Sequence, residues 1–366
     1  MRPKILAYFT TAALVAAVVL MGSLAAGGSN SAGSNSAGGS SGEQGASGTH
    51  KATEVRLGYF PNVTHAPALV GVAQGTFARR LGNTKLTKFA FNAGPETVEA
   101  LFADALDIAY IGPSPSINAF IQSGGQAVRV ISGSTSGGAF FVVQPGVSSA
   151  SDLKGKRVAS PQLGGTQDVA LRVWLKDNGI ETTSSGGGQV TVTPMANADA
   201  LTAFKEQQIA GAWVPEPWAS RLVAEGGGKV LVDEADLWPQ GRYVTTQLLV
   251  RTEFLEKYPE TVRSVLQGHL DALEFIATHP AQAQADTNNQ IESITQKRLP
   301  DRVVASAWQN LQFTTDPIAG SLEKMARDAK SLGLVKSSNL TGIYALGILN
   351  ELLTNSTASN GTGGSR

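Results

Sequence analysis

Short apolar runs alternate with segments of helical apolar spacing from residue 55 to residue 250, and turns rich in Gly, Ser, Thr and Pro separate them. That alternation constrains the fold more than any other feature. A parallel strand can follow its neighbour only after a crossover, and a helix is the usual crossover. Strand patterns fall at residues 55–59, 86–91, 108–111, 128–131 and 140–143, with helical patterns at 66–81, 96–106 and 115–122. On the helix at 96–106, Val98, Leu101, Phe102 and Ala105 share one face. A second run places a turn and strand at 151–159, helices at 166–175 and 198–205, and strands at 190–192, 210–214 and 230–232. The strand pattern at 244–250 reads as a return to the first half, and helical patterns dominate 254–353. A chain of 366 residues with 42% hydrophobic residues has material for two cores.

The expectation is therefore an α/β protein of two lobes. Residues 54–145 begin the first lobe, 146–243 form the second, and 244–353 return to the first and add the C-terminal helices. Two crossings between lobes, near residues 143–146 and 242–245, make a hinge.

The ends read differently. Arg2 and Lys4 precede an apolar stretch at 5–21 and the small residues Ser23-Leu24-Ala25-Ala26. Residues 1–26 are thus a signal peptide or an N-terminal anchor, since the apolar run approaches the length of a bilayer span. The protein is expected to be exported, periplasmic or at the cell surface, and tethered to the membrane if the segment stays uncleaved. Gly27 stands where a bacterial lipoprotein would carry its lipid-bearing Cys, so no thioether lipid can form. Residues 27–53 are almost wholly small and polar and read as a disordered linker. Residues 354–366 share that composition and read as a disordered tail.

Several chemistries are excluded. With no Cys, the chain forms no disulfide, thiolate nucleophile or Cys-ligated metal site. Lys+Arg and Asp+Glu both number 29, which lacks the basic surplus of a nucleic-acid binder. His50, His65, His269 and His279 are not spaced as metal ligands, and no phosphate loop or nucleophile elbow sits in a suitable context. No cofactor and no metal are expected.

Ligands of open α/β sheets sit beyond the carboxyl ends of the strands, beside helix N-termini. The turns there are Phe60-Pro61-Asn62-Val63-Thr64-His65, Gly112-Pro113-Ser114-Pro115-Ser116, Ser132-Gly133-Ser134-Thr135-Ser136-Gly137-Gly138 and Gln162-Leu163-Gly164-Gly165-Thr166-Gln167. Their hydroxyls and backbone N–H groups, together with positive helix ends, suit a small anion. Any one such turn also has a plain explanation in backbone geometry and capping; it is the set of four that points to a ligand. In Trp213-Val214-Pro215-Glu216-Pro217-Trp218, two readings stand level. Either the aromatics wall a pocket that Glu216 serves, or Trp213 is core and Glu216 caps the following helix.

The segments Gly58-Tyr59-Phe60-Pro61-Asn62-Val63-Thr64-His65-Ala66 and Tyr110-Ile111-Gly112-Pro113-Ser114-Pro115-Ser116-Ile117-Asn118-Ala119, with Gly164-Gly165-Thr166 and the stretch from Trp213 to Trp218, resemble the nitrate/sulfonate/taurine group of ABC-transporter substrate-binding proteins. The resemblance runs over residues 55–353 and looks closest to the aliphatic-sulfonate binders. It implies a periplasmic-binding fold of type II that closes on its ligand, acts as a monomer and docks to an ABC permease. It carries ligand contact to Asn62, His65, Ser114, Ser134, Ser136, Gly165, Thr166 and Glu216, and Trp213 joins them as the aromatic wall. A nitrate, taurine or thiamine-precursor ligand would fit the same group. The superfamily also holds the fungal thiamine-pyrimidine synthases, whose early loop pairs an Asn with a His as Asn62 and His65 do. Those enzymes resemble one another in a Cys-rich motif, and this chain has no Cys.

Overall fold

The computed structural model describes residues 51–183 and 185–361, with side chains through residue 355. The N-terminal segment 1–26, most of the linker and residues 362–366 lie outside the described residues.

The chain opens with β1 (Glu54–Tyr59), α1 (Ala66–Ala73), α2 (Thr76–Leu81), β2 (Lys85–Ala90), α3 (Gly94–Phe102), β3 (Ile108–Ile111), α4 (Pro113–Gln122) and β4 (Val128–Gly137). The next run is β5 (Ala139–Val143), β6 (Arg157–Ser160), α5 (Thr166–Asp177), β7 (Thr191–Pro194), α6 (Asn197–Lys205), β8 (Gly211–Pro215), α7 (Trp218–Gly226) and β9 (Lys229–Asp233). The last run is β10 (Val244–Arg251), α8 (Thr252–Lys257), α9 (Pro259–Thr278), α10 (Pro280–Thr295), α11 (Asp301–Gln309), β11 (Leu311–Phe313), α12 (Ala319–Ser331) and α13 (Gly347–Gly361).

Two sheets result, ordered β11-β4-β10-β3-β1-β2 and β7-β6-β8-β5-β9. In the first, β1 pairs in parallel with β2 and β3, and β10 runs antiparallel between β3 and β4. The second is parallel across β7, β6 and β8, with β5 antiparallel to β8 and β9. All four residues of β3 are buried, as a strand covered by helices on both faces must be. Each sheet has its own apolar layers: Leu57, Phe77 and Tyr110 lie in one lobe, Phe141, Leu171 and Trp213 in the other. His269 is a packing residue of the first lobe. Its Nδ1 lies 2.8 Å from Tyr110 Oη and its Nε2 3.1 Å from the Gly133 carbonyl; burial lowers its pKa to about 4, and the neutral ring then donates from Nε2 to that carbonyl.

The two-lobed α/β fold is as expected, but three boundaries move. First, β5 belongs to the second sheet, so the chain crosses between lobes at Gly137-Gly138 and not at 143–146. Both glycines have positive φ, +81° and +74°, which a side chain would resist. Gly146 lies beyond β5, inside the second lobe. The other crossing occupies residues 234–243, between β9 and β10, mostly ahead of the expected 242–245. Second, Ser132-to-Gly138 is not a turn through most of its length. It is the end of β4, paired to β10 on one side and β11 on the other, which leaves the backbone no freedom to loop. Third, order extends past both expected ends. Ala52 is buried and its N–H donates to Thr261 Oγ1 at 2.9 Å, and α13 continues to Gly361.

Candidate functional site

The turns at one end of both sheets meet between the lobes. After β1 come Phe60, Asn62, Thr64 and His65; after β2, Asn92, Ala93 and Gly94; after β3, Gly112 and Pro115. The second lobe contributes Pro161, Gly165, Thr166 and Gln167 after β6, Asn197 after β7, and Pro215 of β8. Thr245 and Thr246 of β10 complete a wall around a cavity of about 40 Å³.

Four helices begin on this wall. Gly94 opens α3, Gly112 and Gly165 are the residues just before α4 and α5, and Asn197 opens α6. The first turns of a helix leave N–H groups unpaired and carry partial positive charge, so the wall is electropositive although no ionised side chain lines it. Its polar side chains fit that field. Among the described residues, the Thr166 Oγ1 and Thr246 Oγ1 hydroxyls and the amide oxygen Asn197 Oδ1 are buried without a hydrogen-bond partner, and the same holds for Ser114 Oγ in the first turn of α4. A buried polar group left so costs about 1–3 kcal/mol, a cost an anion's oxygens relieve at the three hydroxyls but not at the acceptor Asn197 Oδ1.

The donors are held from behind. Asp168, fully buried in α5, accepts from Ser160 Oγ at 2.7 Å, Gly164 N at 3.0 Å and Arg172 Nε at 2.9 Å. The Arg172 guanidinium in turn donates to the Thr183 carbonyl at 2.7 Å. The turn that presents Gly165 and Thr166 is therefore pinned on both flanks. In the first lobe, His65 stacks on Phe60 with ring centroids 4.3 Å apart, and its Nδ1 accepts the Phe60 N–H at 3.3 Å. Burial lowers its pKa to about 3, so the ring is neutral and its proton sits on Nε2. It is a hydrogen-bond donor without charge, and a very weak base.

The lobes are closed on each other. Trp218 Nε1 donates to Asn62 Oδ1 at 2.8 Å, Asn310 Nδ2 to Glu216 Oε1 at 2.8 Å, and Ser220 Oγ lies 3.2 Å from Ser306 Oγ. A Cβ on Gly112 would stand 2.4 Å from Thr166 Oγ1 of the other lobe, so a side chain at 112 does not fit unless Thr166 shifts.

Of the residues singled out from sequence, Asn62, His65, Gly165 and Thr166 are brought together on the wall. Ser114 lies beside them in α4 with its unpartnered hydroxyl. Ser134 and Ser136 are buried within β4 and do not line the cavity. Trp213 is a core residue: it stacks on Phe141 with centroids 5.5 Å apart, and its indole N–H donates to Glu234 Oε2 at 2.8 Å. Glu216 caps α7, accepting from Ser220 N at 3.0 Å and Ser220 Oγ at 2.9 Å, and its other contact is the Asn310 bridge. Its carboxyl is thus fully engaged outside the wall, and burial raises its pKa. Asn92, Asn197, Thr245 and Thr246 were not anticipated. Asn92-Ala93-Gly94-Pro95 carried a turn signal between a strand and a helix, and Thr245-Thr246 placed two hydroxyls inside a strand that otherwise reads as core.

The sequence profile of the NMT1-like family matches residues 48–290. The taurine-binding periplasmic protein of Escherichia coli (strain K12) is 27% identical over 283 residues, covering 76% of this chain and 85% of that protein. The fold matches the alkanesulfonate-binding protein SsuA of Xanthomonas axonopodis pv. citri bound to MOPS, with a TM-score of 0.66 at 20% identity over 80% of this chain and 97% of that one. It also matches the periplasmic nitrate-binding protein NrtA of Synechocystis PCC 6803, with a TM-score of 0.66 at 16% identity over 80% of this chain and 84% of that one.

Proposed function

The chain belongs to the NMT1-like family, and from that premise we propose that it is the extracytoplasmic solute-binding component of an ABC importer, capturing an aliphatic sulfonate and releasing it unchanged to a permease. The observation that carries the reading is the interlobe wall, built of four helix N-termini and unpartnered neutral polar groups with no ionised side chain. Such a wall stabilises a compact anion through fixed dipoles. Several weak donors can each take one oxygen of a tetrahedral head group, and none has to be desolvated as an ion. Without a carboxylate on the wall, the amino group of taurine finds no counter-ion there, which favours a sulfonate that carries no ammonium group. The names of the relatives cited above, binders of taurine, alkanesulfonate and nitrate, support the same ligand class.

Chemistry on the ligand is not part of the proposal. Burial lowers the His65 pKa to about 3, which makes it a very weak base, and no carboxylate lines the cavity among the described residues. Among the described residues no helix is long and apolar enough to cross a membrane, so a tether would come from the N-terminal segment. The protein acts as an exported monomer in this reading.

The test is a thermal-shift screen of the mature chain against alkanesulfonates, taurine, nitrate, bicarbonate and thiamine precursors. A ligand present at ~100 times its dissociation constant stabilises the native state by about 2.7 kcal/mol. An alkanesulfonate should give the largest shift. A shift confined to thiamine precursors would remove the sulfonate assignment.

A further inference from the structure

The inner cavity, at about 40 Å³, holds a head group and no more. Three of its wall residues, Asn62, Asn92 and Asn197, also wall a second and larger interlobe chamber of about 340 Å³. That chamber has a different chemistry. Trp218, Leu201, Ile291 and Leu299 give it apolar surface, while Lys205, Arg221, Lys297 and Glu225 give it charge. Arg221 is taken up by Glu225, with Nε 2.7 Å from Oε1, and lies over the Trp218 ring at 4.6 Å. Among the described residues Lys205 and Lys297 form no direct ion pair, and both act on Glu225 only through their field, so the chamber, with three cations and one carboxylate, keeps a surplus of two positive charges.

Resting on the reading above, we propose that the natural ligand is an organosulfonate with a second anionic group at its far end. The sulfonate sits among the helix N-termini and the carbon chain passes between the three asparagines. Its apolar part lies along Trp218 and Leu201, and the distal carboxylate or equivalent anion meets Lys205 and Lys297. The two chambers thereby divide the work of recognition. Neutral dipoles hold the buried head group, where desolvating an ammonium partner would be expensive, and lysines hold the distal anion at the wet rim. The lysines come from both lobes, Lys205 from α6 and Lys297 from the segment after α10, so a dianion spanning them favours the closed form.

The experiment is a calorimetric titration of the mature chain with two matched series: plain alkanesulfonates, and ω-carboxy alkanesulfonates with two to five methylenes. At least one dianion should bind about three- to thirty-fold tighter than its plain counterpart, the range expected of two partly exposed charge contacts. The advantage should shrink with added salt. In the double variant Lys205→Gln/Lys297→Gln it should fall below about two-fold, while the fold and the plain alkanesulfonate titration report that the inner site is intact. Dianions that bind no tighter than their counterparts at any length would overturn this inference and leave the alkanesulfonate reading standing. No binding in either series would overturn both.

Discussion

Gly112→Ala separates closure of the lobes from the chemistry of the wall. Gly112 has φ of −71° and ψ of 159°, an extended conformation that alanine adopts without strain, and opening of the proposed clamp would withdraw Thr166 with its own lobe. In the closed form the new methyl would stand 2.4 Å from Thr166 Oγ1, about 1 Å inside ordinary contact, and 3.6 Å from the Thr245 carbonyl. Thr166 turns aside only at a cost, since a β-branched side chain in a helix is restricted at χ1. Overpacking of this kind costs about 1–3 kcal/mol, which falls on the closed state alone and weakens binding about five- to hundred-and-fifty-fold. Titration calorimetry reads the affinity, and small-angle scattering reads the closure. The unfolding temperature without ligand should rise or fall little. Gly112→Ala/Thr166→Ser should recover most of the lost affinity, because serine keeps the hydroxyl but turns freely. Wild-type affinity and wild-type compaction in Gly112→Ala would refute the argument, since the closed, liganded form could then not contain the Gly112–Thr166 contact.

Other outcomes follow from the same geometry. Ser114→Ala and Thr166→Val should each weaken sulfonate binding about ten-fold, the value of a hydrogen bond to a charged group, by calorimetry. Trp218→Phe should weaken it about two- to ten-fold by removing the bridge to Asn62, with the increase appearing mainly in the dissociation rate by stopped-flow. Glu234, buried in the second crossing, has its pKa raised from 4.5 to about 7 by burial, so the native state holds a proton that the unfolded chain has released. Its contribution to stability is therefore greatest below pH 4.5 and declines by about 3 kcal/mol as the pH rises to 7. Thermal melts from pH 4.5 to 8 should show a steeper decline for the wild type than for Glu234→Gln, and parallel curves would count against it.

Sequence pattern carried the fold where local and long-range demands agree. Ile108-Ala109-Tyr110-Ile111 is apolar throughout and becomes a central strand; Gly165-Thr166 ends a glycine turn and starts a helix on the wall. It misled where composition and environment part. Ser132-to-Gly137 has the makeup of a loop, yet pairing to β10 and β11 holds it extended, and this misplaced both the first crossing and two site residues. Trp213 and Glu216 looked like pocket chemistry because an aromatic and a carboxylate stood near prolines. Alternation along β8 sends Trp213 into the core, and the start of α7 claims the carboxylate. Thr245 and Thr246 were hidden for the opposite reason: in a strand hydrogen-bonded on both sides, nothing local tells which threonine meets solvent, core or ligand.

A crystal structure of the mature chain grown with an alkanesulfonate tests the central claim most directly. The sulfonate should lie between the lobes, its oxygens within hydrogen-bonding distance of Thr166 and Asn197 on one side and of Asn62, His65 or Thr246 on the other, with its carbon chemistry unchanged. A sulfonate bound to one lobe alone, or a product in its place, would contradict the clamp described here.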